Sequence, residues 1–170
     1  MNTKITMLNR KGDFLLFLTI CTPTYNRAYT LERVYNSLLG QRDADFEWII
    51  VDDGSNDNTE ELVKSFIDQE KLRIKYIFQS NQGKHIALNK GIDMARGELF
   101  TCLDSDDWLY PNSIELIKVT WEKNSQFRNL VGLISLDSYE NGDIVGTRFP
   151  EHLTQANWID LNFNYNISGD

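Results

Sequence analysis

Three aspartates in four residues, Asp104-Ser105-Asp106-Asp107, stand directly behind an apolar stretch, Leu99 to Leu103. In an extended chain side chains alternate, so Asp104 and Asp106 leave the tip of such a strand on the same side. Two carboxylates crowded there repel each other unless a cation or hydrogen bonds compensate. Mg²⁺ or Mn²⁺ suits that role, because hard divalent ions bind through one or two carboxylates completed by phosphate oxygens and water. Aspartates also cap helices, but three within four residues exceed what a cap requires. The pattern assigns Asp104 and Asp106 to a divalent metal.

A second acidic turn, Asp52-Asp53-Gly54-Ser55, follows another apolar run. A carboxylate there can accept hydrogen bonds from a nucleobase imide or a ribose hydroxyl. Gly54 supplies the backbone freedom of a tight turn beside a ligand. An Asp-rich turn that merely leads into a helix is the alternative, and turn statistics leave both open. Pro23-Thr24-Tyr25-Asn26-Arg27 offers backbone groups, hydroxyls and a cation, enough to hold a nucleotide if the acidic turns lie beside it. Asn81-Gln82-Gly83-Lys84-His85 adds a second cation and an imidazole, residues that elsewhere are most often merely solvated.

The elements that must carry these turns alternate between strand and helix. An apolar strand is predicted over Phe14 to Thr22, closed by Pro23. Leu31, Val34, Tyr35, Leu38 and Leu39 repeat at helical spacing up to Gly40. Phe46 to Val51 reads as a buried strand, and Asn58 with Glu61 resembles a capping box for the next helix. Ile74, Tyr76 and Phe78 alternate as a half-exposed strand. A helix carrying Leu88, Ile92 and Ala95 stops near Gly97, before the strand Leu99 to Leu103. Asn112 with Glu115 suggests another cap, ahead of Ile114, Ile117 and Trp121. Leu130 to Leu136 and Ile144 to Phe149 flank Asn141-Gly142, a hairpin pair. The fold class is α/β: an open, mainly parallel sheet with helices on both faces. In such sheets ligands bind outside the carboxyl ends of the strands, where all four polar turns fall.

Composition narrows the function. The 170 residues hold 41 % hydrophobic side chains, enough for a core, and a net charge of −8. Eight of the 25 acids lie between Asp43 and Val63, a stretch with no Lys or Arg, and the rest of the chain balances at 17 acids to 17 bases. An acidic chain without a basic tract argues against nucleic acid as a partner. Cys21 and Cys102 form neither a disulfide framework nor a zinc spacing, which fits free thiols in a reducing cytoplasm. No apolar window is long enough for a transmembrane helix. The basic start and the run Phe14 to Cys21 mimic a signal peptide, but Thr22-Pro23-Thr24 is no cleavage site and the run reads as a strand. Dinucleotide, P-loop and nucleophile-elbow motifs are missing.

Four runs together resemble glycosyltransferase family 2: Thr19 to Arg27; Ile49 to Ser55; Asn81-Gln82-Gly83 with Ala87, Asn89 and Gly91; and Leu103 to Asp107. The resemblance covers residues 14 to 136, and the four motifs in order are specific where each alone is weak. It implies the GT-A fold, a Rossmann-like nucleotide-diphospho-sugar transferase fold, and an inverting transfer from a nucleoside-diphosphate sugar, with a UDP-sugar the leading candidate. It places Pro23, Thr24, Tyr25, Asn26 and Arg27 against the nucleotide, with Asp52 or Asp53 reading base or ribose. Gly83 and Lys84 fall near base or phosphates. Asp104 and Ser105 meet ribose or sugar, and Asp104 with Asp106 matches the Asp-x-Asp motif that holds Mn²⁺ or Mg²⁺.

The implied organisation is an N-terminal extension (1–13), a nucleotide-sugar-binding core (14–138), and a hairpin with the start of an acceptor-side segment (139–170). The general base is expected beyond Asp170, since Asp137, Glu140, Asp160 and Asp170 sit in no recognisable motif; the chain then reads as the N-terminal part of a longer enzyme. The acceptor is expected to be a glycan or lipid-linked glycan of bacterial surface synthesis, met in the cytoplasm at the inner face of the membrane with peripheral association at most. A binding module that holds the nucleotide sugar without turnover is the alternative. A phospho-acceptor receiver also clusters Asp at strand ends, but it needs its acidic pair after the first strand and a Lys after the fifth, and this chain has neither.

Overall fold

A computed structural model describes residues 4–7, 16–127 and 129–156. The chain divides into two compact units, Ile5–Leu133 and a second made of Met1–Lys4 with Ile134–Asp170. The elements are β1 (Lys4–Met7), β2 (Leu16–Thr24), α1 (Ala28–Leu39), β3 (Phe46–Asp52), α2 (Thr59–Asp68), β4 (Ile74–Phe78), α3 (Lys84–Met94), β5 (Gly97–Cys102), α4 (Ser113–Asn124) and β6 (Gly132–Ile134). They build one six-stranded sheet in the order β4-β3-β2-β5-β1-β6. The pairs β2–β3, β2–β5 and β3–β4 are parallel, and β1 runs antiparallel to β5. The chain therefore steps outward from β2 to β3 and β4, then crosses back to place β5 on the other side of β2. That reversal opens a crevice at the carboxyl ends of β2 and β5.

Buried apolar residues on both sides of the sheet explain why β3 is buried at every position and β2 at all but the half-buried Leu16. On one side Leu18, Ile20, Trp48, Ile50 and Leu99 pack with Leu31, Val34 and Leu38 of α1, Val63 and Phe66 of α2, and Ile114 and Trp121 of α4. Tyr35 and Phe66 stack there with ring centroids 4.1 Å apart. On the other side Cys21, Ile49, Val51 and Phe100 meet α3 through Ala87. Gly91 lets α3 approach closely: a Cβ there would lie 2.3 Å from the Cys21 Sγ. Cys21 and Cys102 sit opposite each other in register, and both are free thiols.

Several elements depart from the sequence reading. Residues 4–7, expected outside the core, form β1 on β5, and Ile5 is buried. Pro23 does not close β2; it pairs with Val51 inside the strand. Cys21 C=O accepts from Leu103 and Thr24 C=O accepts from Asp53, so alternation turns residue 23 toward β5. The paired register with β5 ends at Cys21↔Cys102, where the missing proline N–H costs no ladder bond. Asn58 and Asn112 occupy N-cap positions without side-chain cap bonds. Asp57 replaces the first, taking the Thr59 N–H at 3.1 Å. The expected strand Leu130 to Leu136 shortens to β6, whose residues are all only half-buried. In the second unit the hairpin reduces, among the described residues, to a single bridge, Ser138↔Ile144, around Gly142 at φ +85°.

Candidate active site

The Asp52–Asp53 turn is held from every direction by fixed donors. Asp52 is 1 % exposed; its Oδ1 accepts the Ser55 N–H at 2.8 Å and its Oδ2 the Tyr76 hydroxyl at 2.7 Å. Burial, with this bond to a carboxylate, pushes the Tyr76 hydroxyl pKa far up. Asp53 is 4 % exposed and accepts Gln79 Nε2 (2.8 Å), Gln82 N–H (2.9 Å) and Gly83 N–H (2.8 Å). Burial alone would raise its pKa, but these donors, with the charge of His85, outweigh that and hold it below the ordinary carboxylate value. Asp53 thereby ties the end of β3 to the loop before α3. Gly54 at φ +88° is required there, since a Cβ would meet the Asn81 amide at 2.8 Å.

The turn after β2 is stitched to the same loop. Asn26, at φ 52°, donates its N–H to Ser55 Oγ at 2.8 Å and accepts the Asn56 N–H at 2.9 Å. Asp57 Oδ2 takes the Ala28 N–H at 3.2 Å while Oδ1 serves Thr59, so one carboxylate caps two helices. Burial would raise the Asp57 pKa, but the Thr59 hydroxyl and these backbone amides hold it down. Thr24 is buried, and its hydroxyl has no hydrogen-bond partner. Tyr25 is exposed beside it, and Ser105 is buried at the start of the Asp-rich loop.

The Asp104–Asp106 loop is held differently. Lys84 Nζ lies 2.7 Å from Asp104 Oδ2, and Arg27 Nη1 lies 3.3 Å from Asp106 Oδ2. Burial would lower the Lys84 pKa, but the bond to Asp104 and its charge raise it overall. Arg33 donates to the Asp106 carbonyl and stacks on Trp108 at 4.2 Å. Cys102 Sγ donates to Asp104 Oδ1 at 3.4 Å, and burial followed by that carboxylate pushes its thiol pKa up.

All four polar turns thus meet at one end of the sheet. Asp104 and Asp106 fit a divalent ion only as partial ligands, because no group of three or more metal-ligating side chains occurs among the described residues. A Mg²⁺ or Mn²⁺ ion held so must complete its shell with phosphate oxygens and water. Sequence reasoning singled out Ser55 only as part of the Asp52–Ser55 turn and gave no role at the site to Asp57, Tyr76, Gln79 or Arg33. The parallel register Asp52↔Phe78 carries a signal for Gln79, since it makes residues 53 and 79 neighbours.

A mainly parallel sheet with a switch-point crevice lined by these loops defines a GT-A-type glycosyltransferase fold. Residues 19–147 match Glycosyl transferase family 2, and the chain belongs to that family. An uncharacterized glycosyltransferase of Nostoc sp. is 40 % identical over 100 residues, covering 59 % of this chain and 31 % of that protein. A validoxylamine A glucosyltransferase of Streptomyces hygroscopicus subsp. jinggangensis is 38 % identical over 104 residues, covering 59 % of this chain and 24 % of that protein. The chain therefore spans about a third or less of these relatives. Among solved structures, S. aureus TarS 1-349 in complex with UDP-GlcNAc superposes with a TM-score of 0.60 at 27 % identity, covering 65 % of this chain and 32 % of that one. A mannosyltransferase from Pyrobaculum calidifontis in complex with GDP-Man and Mn²⁺ gives 0.51 at 26 % identity, covering 58 % and 31 %. No helix among the described residues is long and apolar enough to cross a membrane.

Proposed function

We propose that the chain binds a UDP-sugar together with Mn²⁺ or Mg²⁺ and serves inverting transfer of the sugar to an acceptor hydroxyl. The carrying observation is the convergence of Arg27, Lys84, Asp104 and Asp106 from three separate loops onto one switch-point crevice. A bound divalent ion would supply charge neutralisation of the leaving nucleoside diphosphate. Lys84 and Arg27 supply cations for the phosphates, and Pro23, Thr24, Tyr25 and Asn26 line the nucleotide. The Asp52–Asp53 turn borders base or ribose as the second motif, with both carboxylates held in place by Ser55, Tyr76, Gln79, Gln82 and Gly83. Gly83 fixes the start of α3 with φ +94°, so that Lys84 faces the Asp104 loop. Ser105 lies beside ribose or sugar.

Displacement at the anomeric carbon needs a carboxylate to take the acceptor proton. Asp137 and Glu140 belong to the second unit, Asp160 and Asp170 lie outside the described residues, and none is assigned as that base. The acceptor is a glycan or lipid-linked glycan of bacterial surface synthesis, met on the cytoplasmic side, a setting that two free thiols support. Calorimetric titration of UDP and GDP with Mn²⁺ or EDTA tests the nucleotide assignment. Metal-enhanced UDP binding is expected, and metal-enhanced binding of GDP alone would overturn the choice of uridine.

A further inference from the structure

Each carboxylate assigned to the metal is already paired with a cation. Lys84 reaches Asp104 from the first residue of α3, and Arg27 reaches Asp106 from the turn after β2. Both cations stand on long, half-exposed side chains, and Arg27 is braced by the Tyr29 hydroxyl at 3.0 Å. A divalent ion approaching Asp104 Oδ2 or Asp106 Oδ2 meets Lys84 Nζ or Arg27 Nη1 on the same oxygens. Exposed pairs of this kind are weak enough to exchange partners. A diphosphate carries the anionic oxygens to which both cations can move, and Arg and Lys bind phosphate at least as well as carboxylate.

We propose that Lys84 and Arg27 form a latch that disfavours metal alone and releases Asp104 and Asp106 when a nucleoside diphosphate arrives. The inference rests on the nucleotide-binding reading of the same site. Without the two cations, metal alone should bind more tightly and nucleotide more weakly, and the coupling between the two ligands should shrink.

Free Mn²⁺, counted by its electron paramagnetic resonance signal, gives the metal affinity without nucleotide and without any activity assay. The comparison sets the wild type against the double variant R27Q/K84Q and the charge-retaining R27K/K84R. Lys71→Gln, in the turn before β4 at the opposite end of the sheet, controls for net charge. The double glutamine variant is expected to bind Mn²⁺ alone about fivefold more tightly, as two weak ion pairs are removed, while the other two variants stay near the wild type. Circular dichroism verifies folding, and the single variants R27Q and K84Q, each expected to show part of the rise, serve if the double does not fold. Unchanged Mn²⁺ affinity in folded glutamine variants overturns the latch. UDP binding to the wild type is measured in parallel: its absence, with or without Mn²⁺, overturns the nucleotide reading itself.

Discussion

The two acidic turns carry the same residue type at the same end of the same sheet, yet they are satisfied by opposite means. Asp52 and Asp53 are almost fully buried and accept from backbone amides, a glutamine and a tyrosine that cannot leave. Asp104 and Asp106, with side chains 16 % and 51 % exposed, are paired to flexible cations from other loops. Fixed donors make a carboxylate part of the scaffold, whereas mobile cations leave it able to take a new partner. The difference is one of partners, not of composition. The first turn is fixed, and the second holds the carboxylates proposed to exchange partners.

The largest effect separating the two turns should be on stability. Asp53→Ala leaves three donors unsatisfied and should cost about 3 kcal/mol in urea unfolding; a loss below about 1 kcal/mol would make Asp53 no more structural than Asp106. Tyr76→Phe removes a single bond to Asp52 and should cost about 1 kcal/mol, read by the same method. Acid should act through the buried turn and its neighbour Asp57. Both Asp53 and Asp57 have folded-state pKa values below the ordinary 3.8. Their stabilisation is therefore complete above that value and is lost as pH falls through the lower folded-state values. Asp53→Asn should flatten the stability–pH curve in that window, and an unchanged curve would remove Asp53 from the account. The smallest effect concerns the strands beneath. Burial pushes the Cys21 thiol pKa up to about 12, so the native protein should leave Cys21 unmodified by a thiol reagent at neutral pH. Denatured and never reduced, the chain should show two titratable thiols; finding none would mean a bridge between the facing cysteines.

The legible part of the fold was the part with one dominant signal. Buried strands such as Phe46–Asp52 are mainly apolar runs, interrupted here by Glu47, that end in turn residues, and helices such as Ala28–Leu39 carry a clear stripe. β1 was not legible, because a four-residue strand with Ile5 as its buried anchor has no period to detect. The caps failed for a related reason: Asn58 has the right spacing, but Asp57 reaches the Thr59 amide and Ala28 of another helix as well. The candidate residues are legible as turns at strand ends. Their partners are not: the pairing of Lys84 with Asp104 spans 20 residues, and that of Arg27 with Asp106 spans 79. Only strand order and helix placement bring them together.

The proposed reading turns on Asp106 exchanging Arg27 for a metal instead of serving the scaffold. Its most direct test is calorimetric titration of UDP into wild type and Asp106→Asn, each in Mn²⁺ and in EDTA. The variant should lose about tenfold or more in affinity in Mn²⁺, bind at least as tightly as the wild type in EDTA because Arg27 is freed, and melt at nearly the same temperature, as expected for an exposed pair. Wild-type, metal-enhanced affinity in a folded Asp106→Asn protein would mean that Asp106 holds no metal.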